Sequence, residues 1–127
     1  MKKLIFGLLL LSLPFQYSCK EKMVRYSDSG ETVTLMVNQI LKIELPGDAA
    51  SGSDWRKISY NDSTLLRKGK SNYMLGTSES SPGVYYFRFL AINPGISKIV
   101  MEFGNKYDLD KKATKTFELD VVIIPHK

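Results

Sequence analysis

The stretch VYYFRFLAINPGISKIVMEF, residues 84–103, decides the fold. It holds two apolar alternations around a turn. Tyr85, Phe87, Phe89 and Ala91 share one parity, and Ile99, Met101 and Phe103 share another. A side-chain period of two marks a β-strand with one buried face. Between the runs stands Asn93-Pro94-Gly95, a strong turn signal. The expected unit is a hairpin.

The same period continues on either side. TVTLMV sets Val33, Leu35 and Val37 on one face. ILKIELP sets Leu41, Ile43 and Leu45 on one face with Lys42 and Glu44 on the other, and Asn38-Gln39 between the two runs is a tight-turn candidate. Near the C-terminus, KTFELDVVII points Phe117, Leu119, Val121 and Ile123 one way, with Glu118 and Asp120 outward. DWRKISY alternates Trp55, Lys57 and Ser59 against Arg56, Ile58 and Tyr60, a weaker pattern, and STLLRKGKSNYML makes one further strand. No ten-residue amphipathic helix, repeat or low-complexity segment occurs in the sequence. About seven short strands predict an all-β, immunoglobulin-like β-sandwich over residues 32–125. A small barrel is the competing architecture.

The N-terminus reads differently. MKK is followed by the apolar run LIFGLLLLSLPF, residues 4–15, and then by QYSC. Twelve apolar residues are too few for a membrane-spanning helix, which needs about 20. Residues 1–18 therefore read as a secretory signal peptide. Cys19, the only cysteine, has no internal disulfide partner. Its position resembles a bacterial lipobox, with Ser18 as the small residue before the cut and Gln16 where a leucine is usual. That resemblance implies a lipidated Cys19 and a domain exported and held in the bacterial cell envelope. Ordinary cleavage or a free thiol is the alternative. The polar segment 19–31 is expected to be a tether.

The formal charge is +5, but Lys2 and Lys3 belong to the leader, and without them 16 basic residues face 13 acidic ones. No basic block is longer than Lys111-Lys112. The sequence thus shows no clustered basic footprint for nucleic acid. Catalysis needs convergent reactive groups. The only histidine, His126, lies two residues into the C-terminal end, far in sequence from Cys19. No group of His, Cys and carboxylates has metal-ligand spacing. DLDKK, residues 108–112, lacks the ligand count of a calcium loop and reads as a solvated hairpin tip. The glycines sit near strand ends and make no phosphate-cradling run. The reading is a binding module, with no enzyme activity, cofactor or metal.

LMVNQILKIELPGDAASGSDW resembles the chagasin-like family of inhibitors of papain-like cysteine proteases. It looks like that family's first two strands, its long second loop, and the tryptophan opening the next strand. The family's loop usually reads Asn-Pro-Thr-Thr-Gly, two residues, then Trp. Here it reads Asp48-Ala49-Ala50-Ser51-Gly52, then Ser53-Asp54, then Trp55. Ser51 stands for the second threonine, and Asp48, Ala49 and Ala50 depart from the other residues. Pro82-Gly83 takes the place of a Gly-Gly in the glycine-rich fourth loop, and Phe87 and Gly95 fall at matching positions. Asn105-Lys106-Tyr107 stands where the sixth loop usually carries Arg-Pro-Trp.

The resemblance spans about residues 33–124 and implies a monomeric inhibitor whose partner is a papain-like cysteine protease. By that implication the 47–54 loop enters the protease cleft, and the loops near 80–83 and 104–108 straddle its walls. Small residues let backbone approach a narrow cleft without side-chain clashes. Trp55 would support the loop from behind, and Gly52 would supply a backbone angle closed to other residues. Tyr107 is either a cleft-wall anchor or a cap on the core edge. A second reading is an envelope-anchored immunoglobulin-like module with a non-protease partner.

Overall fold

A computed structural model describes residues 21–47, 52–74 and 83–126. The described residues form nine strands in two sheets. The first sheet contains β1 (Lys22–Arg25), β3 (Ile40–Pro46), β7 (Val84–Ala91) and β5 (Leu65–Arg67) in that order, with β6 (Asn72–Met74) also paired to β7. The second contains β2 (Thr32–Met36), β9 (Lys115–Ile124), β8 (Gly95–Asn105) and β4 (Ser53–Ser59) in that order. The chain is all-β, and the two sheets make an immunoglobulin-like sandwich.

The alternating apolar residues face one another across the two sheets. Leu41, Ile43 and Leu45 of β3 and Phe87 and Phe89 of β7 meet Leu35, Ile99, Met101, Phe117, Leu119 and Val121 in one cluster, each at most 2 % exposed. Burying a side chain of this size stabilises by about 1.5–3 kcal/mol relative to leaving it exposed. Val37, expected on the same face as Leu35, is only partly buried at the rim of this cluster.

Three expectations change. The segment 19–31 is not wholly a tether: β1 pairs in parallel with β3, and Val24 is buried in the core. A 3₁₀ turn (Tyr26–Asp28) then carries the chain to β2, which pairs in parallel with β9. The sandwich therefore begins at Lys22. The STLLRKGKSNYML region forms two short strands, β5 and β6, interrupted at Gly69, where φ is +68°. Together with β1, this raises seven expected strands to nine.

The third change concerns Asn93-Pro94-Gly95. The turn forms, but β7 and β8 lie in different sheets, so it is a corner rather than a hairpin. The Asn38-Gln39 turn crosses between sheets in the same way, with Asn38 at φ +78°. Backbone hydrogen bonds tie it to both sheets, from Asn38 N–H to the Ala91 carbonyl and from Val37 N–H to the Ile124 carbonyl. These two corners close the end of the sandwich opposite the loops described next.

Candidate functional site

Three connections leave the same end of the sandwich. Pro46 at the end of β3 is paired with Val84 at the start of β7, and Met74 at the end of β6 is paired with that same Val84. Ser53 at the start of β4 is paired with Asn105 at the end of β8. The β3–β4, β6–β7 and β8–β9 connections are therefore neighbours in space, though they lie far apart in sequence.

Hydrogen bonds fix the roots of the middle connection to both flanking ones. Gly47 N–H donates to the Gly83 carbonyl at 2.8 Å, and Lys106 N–H donates to the Gly52 carbonyl at 3.1 Å. Gly52 adopts φ +79°, a left-handed conformation that costs a side-chain-bearing residue roughly 1 kcal/mol or more. That conformation turns the chain into β4 with the Gly52 carbonyl aimed at the sixth loop. Gly47 and Gly83 both press against aromatic rings. A Cβ on Gly47 would lie 2.5 Å from the Tyr73 ring, and one on Gly83 would meet the Tyr73 hydroxyl.

Polar ties between the sheets stiffen this end from behind. Trp55 is 5 % exposed, its ring centroid 5.1 Å from that of Phe103 and 6.0 Å from that of Tyr26. Its indole Nε1–H donates to the Pro46 carbonyl at 2.8 Å, closing the β3–β4 connection at its root. Asp54 accepts a hydrogen bond from the Tyr85 hydroxyl on the facing sheet. Burial first, and then the Asp54 carboxylate, push the Tyr85 hydroxyl up to about 12 from its ordinary 10.0.

The sign of the resulting pH dependence follows from linkage. A phenol held neutral in the fold gives a stabilisation complete below about pH 10 and lost as the pH climbs toward about 12. Denaturation midpoints should therefore fall across that alkaline window in the wild type. In Tyr85→Phe the fall should be smaller. Equal slopes in the two proteins would reject this role for the Tyr85–Asp54 pair.

The β8–β9 loop is organised by a residue that the strand pattern did not single out. Arg56 and Trp55 are adjacent, yet both are buried, Arg56 being only 8 % exposed. Strict alternation would have left Arg56 in water. The loop folds over it instead. Its Nη1 donates to the Asn105 carbonyl at 2.7 Å and the Asp108 carbonyl at 3.0 Å, and its Nη2 donates to the Lys111 carbonyl. Gly104 makes room, because a Cβ there would sit 2.8 Å from the guanidinium carbon. A glycine at the end of the β8 pattern was the available signal of a close approach, though not of its partner.

Asn105 carries the order outward. Its Oδ1 accepts hydrogen bonds from Tyr107 N–H at 2.7 Å and Asp108 N–H at 3.1 Å. This turn leaves Tyr107 81 % exposed, so the ring stands out from the tip and does not cap the core. The Lys106 ammonium lies 5.3 Å from its centroid. The 108–112 segment is solvated, as expected, but its carbonyls turn inward to Arg56.

The structure thus brings Gly52, Ser53, Gly83, Asn105, Lys106 and Tyr107 to one end, with Trp55 behind them. Asp48, Ala49, Ala50, Ser51, Pro82 and Cys19 lie outside the described residues. Among the described residues no three His, Cys, Asp or Glu side chains gather as a metal site.

Comparison with known proteins gives the following. Residues 34–121 match the family described as chagasin family peptidase inhibitor I42. The crystal structure of the cysteine protease inhibitor EhICP2 from Entamoeba histolytica superposes with a TM-score of 0.69 at 17% identity, covering 81% of this chain and 94% of that one. The solution structure of Amebosin gives a TM-score of 0.57 at 19% identity, covering 83% of this chain and 99% of that one. At these identities the two likenesses speak for the fold. No curated protein matches the chain in sequence.

Proposed function

The chain belongs to the chagasin family of peptidase inhibitors, and from that premise we propose that it inhibits papain-like cysteine endopeptidases reversibly by inserting its 47–54 loop into the active-site cleft. The observation that carries the reading is the joint rooting of three loops at one end. Both ends of the central loop are hydrogen-bonded to a flanking loop, Gly47 to Gly83 and Gly52 to Lys106. Loop roots fixed before docking lower the conformational entropy lost on binding.

In this reading the small residues Asp48, Ala49, Ala50, Ser51 and Ser53 pass over the catalytic cysteine as backbone. Pro82 and Gly83 meet one wall of the cleft, and Asn105, Lys106 and Tyr107 meet the other. The mechanism requires no catalytic group on the inhibitor, and one monomer occupies one protease. Lipidation of Cys19 after removal of residues 1–18 would hold the inhibitor in a bacterial cell envelope, and the mass of the mature protein tests that part.

Titration of a panel of active papain-like proteases tests the function. Tight one-to-one inhibition is expected for at least one of them. Ala50→Trp should abolish it by blocking entry of the loop. Tyr107→Ala should weaken it roughly tenfold, the size of a typical aromatic hot spot, with the denaturation midpoint unchanged because the ring is exposed. A panel left untouched at micromolar inhibitor would defeat the reading. Asp48, Ala49 and Ala50, where the family usually carries other residues, favour the second reading, an immunoglobulin-like module with a non-protease partner. Capture of a partner indifferent to both substitutions would establish it.

A further inference from the structure

We propose that the outer face of the five-stranded sheet, at the end away from the three loops, rests on an anionic lipid surface. The proposal builds on the lipid-anchoring part of the reading above and adds which side of the domain meets the membrane.

The chain path sets the constraint. Cys19 stands three residues before Lys22, and three residues span at most about 11 Å. Lys22 is already fixed, paired with Leu41 near the start of β3. Glu21 is fixed as well, with its Oε2 3.4 Å from Nε of Arg88. Arg88 lies on the outer side of β7, opposite Lys42. An acyl chain on Cys19 would therefore enter the bilayer beside this part of the surface. Little slack remains for the domain to turn another side toward the lipid.

The chemistry of that surface suits the contact. Ile40, Leu90 and Leu66 lie side by side across β3, β7 and β5 on the outer face. Leu66 is 48 % exposed, and Met23, beside Lys42, is 38 % exposed. Around this strip stand Arg25, Lys42, Lys68, Lys70 and Arg88, against the two acids Glu21 and Glu44. The other described residues hold nine basic and nine acidic side chains. The basic excess is thus gathered on this face, although in sequence it looks scattered. Lys68 N–H donates to the Arg88 carbonyl, which continues the β5 pairing and sets those two cations side by side.

A basic rim around exposed aliphatic side chains complements anionic headgroups, and an acyl chain with a basic patch is a sufficient pair of membrane signals. The apolar strip and the path of the N-terminal strand favour lipid over nucleic acid as the occupant. The same orientation frees the other end. From Leu41 to Pro46, β3 runs about 17 Å along its axis, so the three loops lie beyond the contact patch and are left uncovered for an incoming protein.

The test uses the mature protein purified from membranes and reconstituted in phosphatidylglycerol vesicles. Leu66→Cys and Tyr107→Cys each provide one reactive thiol, since an acylated Cys19 cannot react. A charged water-soluble maleimide should label position 66 about tenfold more slowly on these vesicles than in detergent, and position 107 at the same rate in both. In phosphatidylcholine vesicles the protection of position 66 should shrink. Equal labelling of position 66 in vesicles and detergent, or protection of 107 in its place, would overturn the proposal.

If the mature mass shows no acyl group, the anchoring premise has failed, and vesicle sedimentation then tests the face alone. Salt-sensitive phosphatidylglycerol binding, weakened about thirtyfold by Lys68→Gln/Lys70→Gln, supports it. No vesicle binding, or displacement from vesicles by duplex DNA, overturns it. Protease inhibition, measured in parallel, is independent of these outcomes.

Discussion

Replacing Arg56 with methionine is expected to destabilise the fold by about 3–5 kcal/mol, the range for breaking a buried charged network from one side. Methionine keeps most of the volume and removes the guanidinium. Three carbonyls, those of Asn105, Asp108 and Lys111, then lose their donor. Glu102 loses a partner 3.7 Å away, but it is 32 % exposed, and Lys57 stands 3.9 Å from the same oxygen, so that loss is minor. The carbonyls decide the outcome. Left in place they are desolvated without a partner, at about 1–3 kcal/mol each. Swung out to water, they take the turn at Asn105 with them, and Tyr107 is no longer held at the tip.

Either route lowers the urea midpoint, and the second also weakens inhibition beyond what Tyr107→Ala does. Arg56→Lys separates charge from geometry, since a single ammonium cannot fork across three acceptors. It should recover little of the loss. An Arg56→Met midpoint within about 0.5 kcal/mol of wild type, the range of an ordinary surface substitution, would show that the loop orders itself.

Arg56 also marks where sequence reading stops. The faces carrying Phe87 and Phe89, or Phe117 and Leu119, were legible because a period of two is a local property and each strand shows it alone. Arg56 broke the period. The pairing of β4 with β8 shifts register between Arg56 and Ser59, and Lys57 takes φ +52°. Arg56 itself stays in register opposite Glu102 and is buried because the carbonyls of the β8–β9 loop close over it. The bulge beyond it displaces Lys57, and nothing in DWRKISY announces either. β1 was hidden for the opposite reason. An edge strand with one inward residue, Val24, has no pattern to detect. Asn93-Pro94-Gly95 was legible as a turn, yet whether it joins neighbours or crosses between sheets depends on partners dozens of residues away. The convergence of Gly52, Gly83 and Tyr107 was reached through family resemblance. Hydrogen bonds between distant segments hold it, and no single segment contains that information.

Trp55→Ala is expected to cost about 3–5 kcal/mol as well, the range for truncating a large buried aromatic. Two losses combine there. The cavity removes packing against Phe103 and Tyr26, and the Pro46 carbonyl loses its indole donor. Trp55→Phe isolates the second loss. Most of the ring packing survives, so stability should fall by about 1–2 kcal/mol, the size of one hydrogen bond plus a smaller ring. Inhibition should fall by more than stability predicts. The Nε1–H bond to Pro46 closes the root of the inserted loop, and a loosened root must be ordered again at each docking event. Comparing the two substitutions at a temperature where both proteins are fully folded makes the distinction. If Trp55→Phe inhibits as well as wild type while Trp55→Ala does not, Trp55 acts through packing alone. If both lose inhibition while folded, the hydrogen bond across the loop root is part of what holds the wedge in shape.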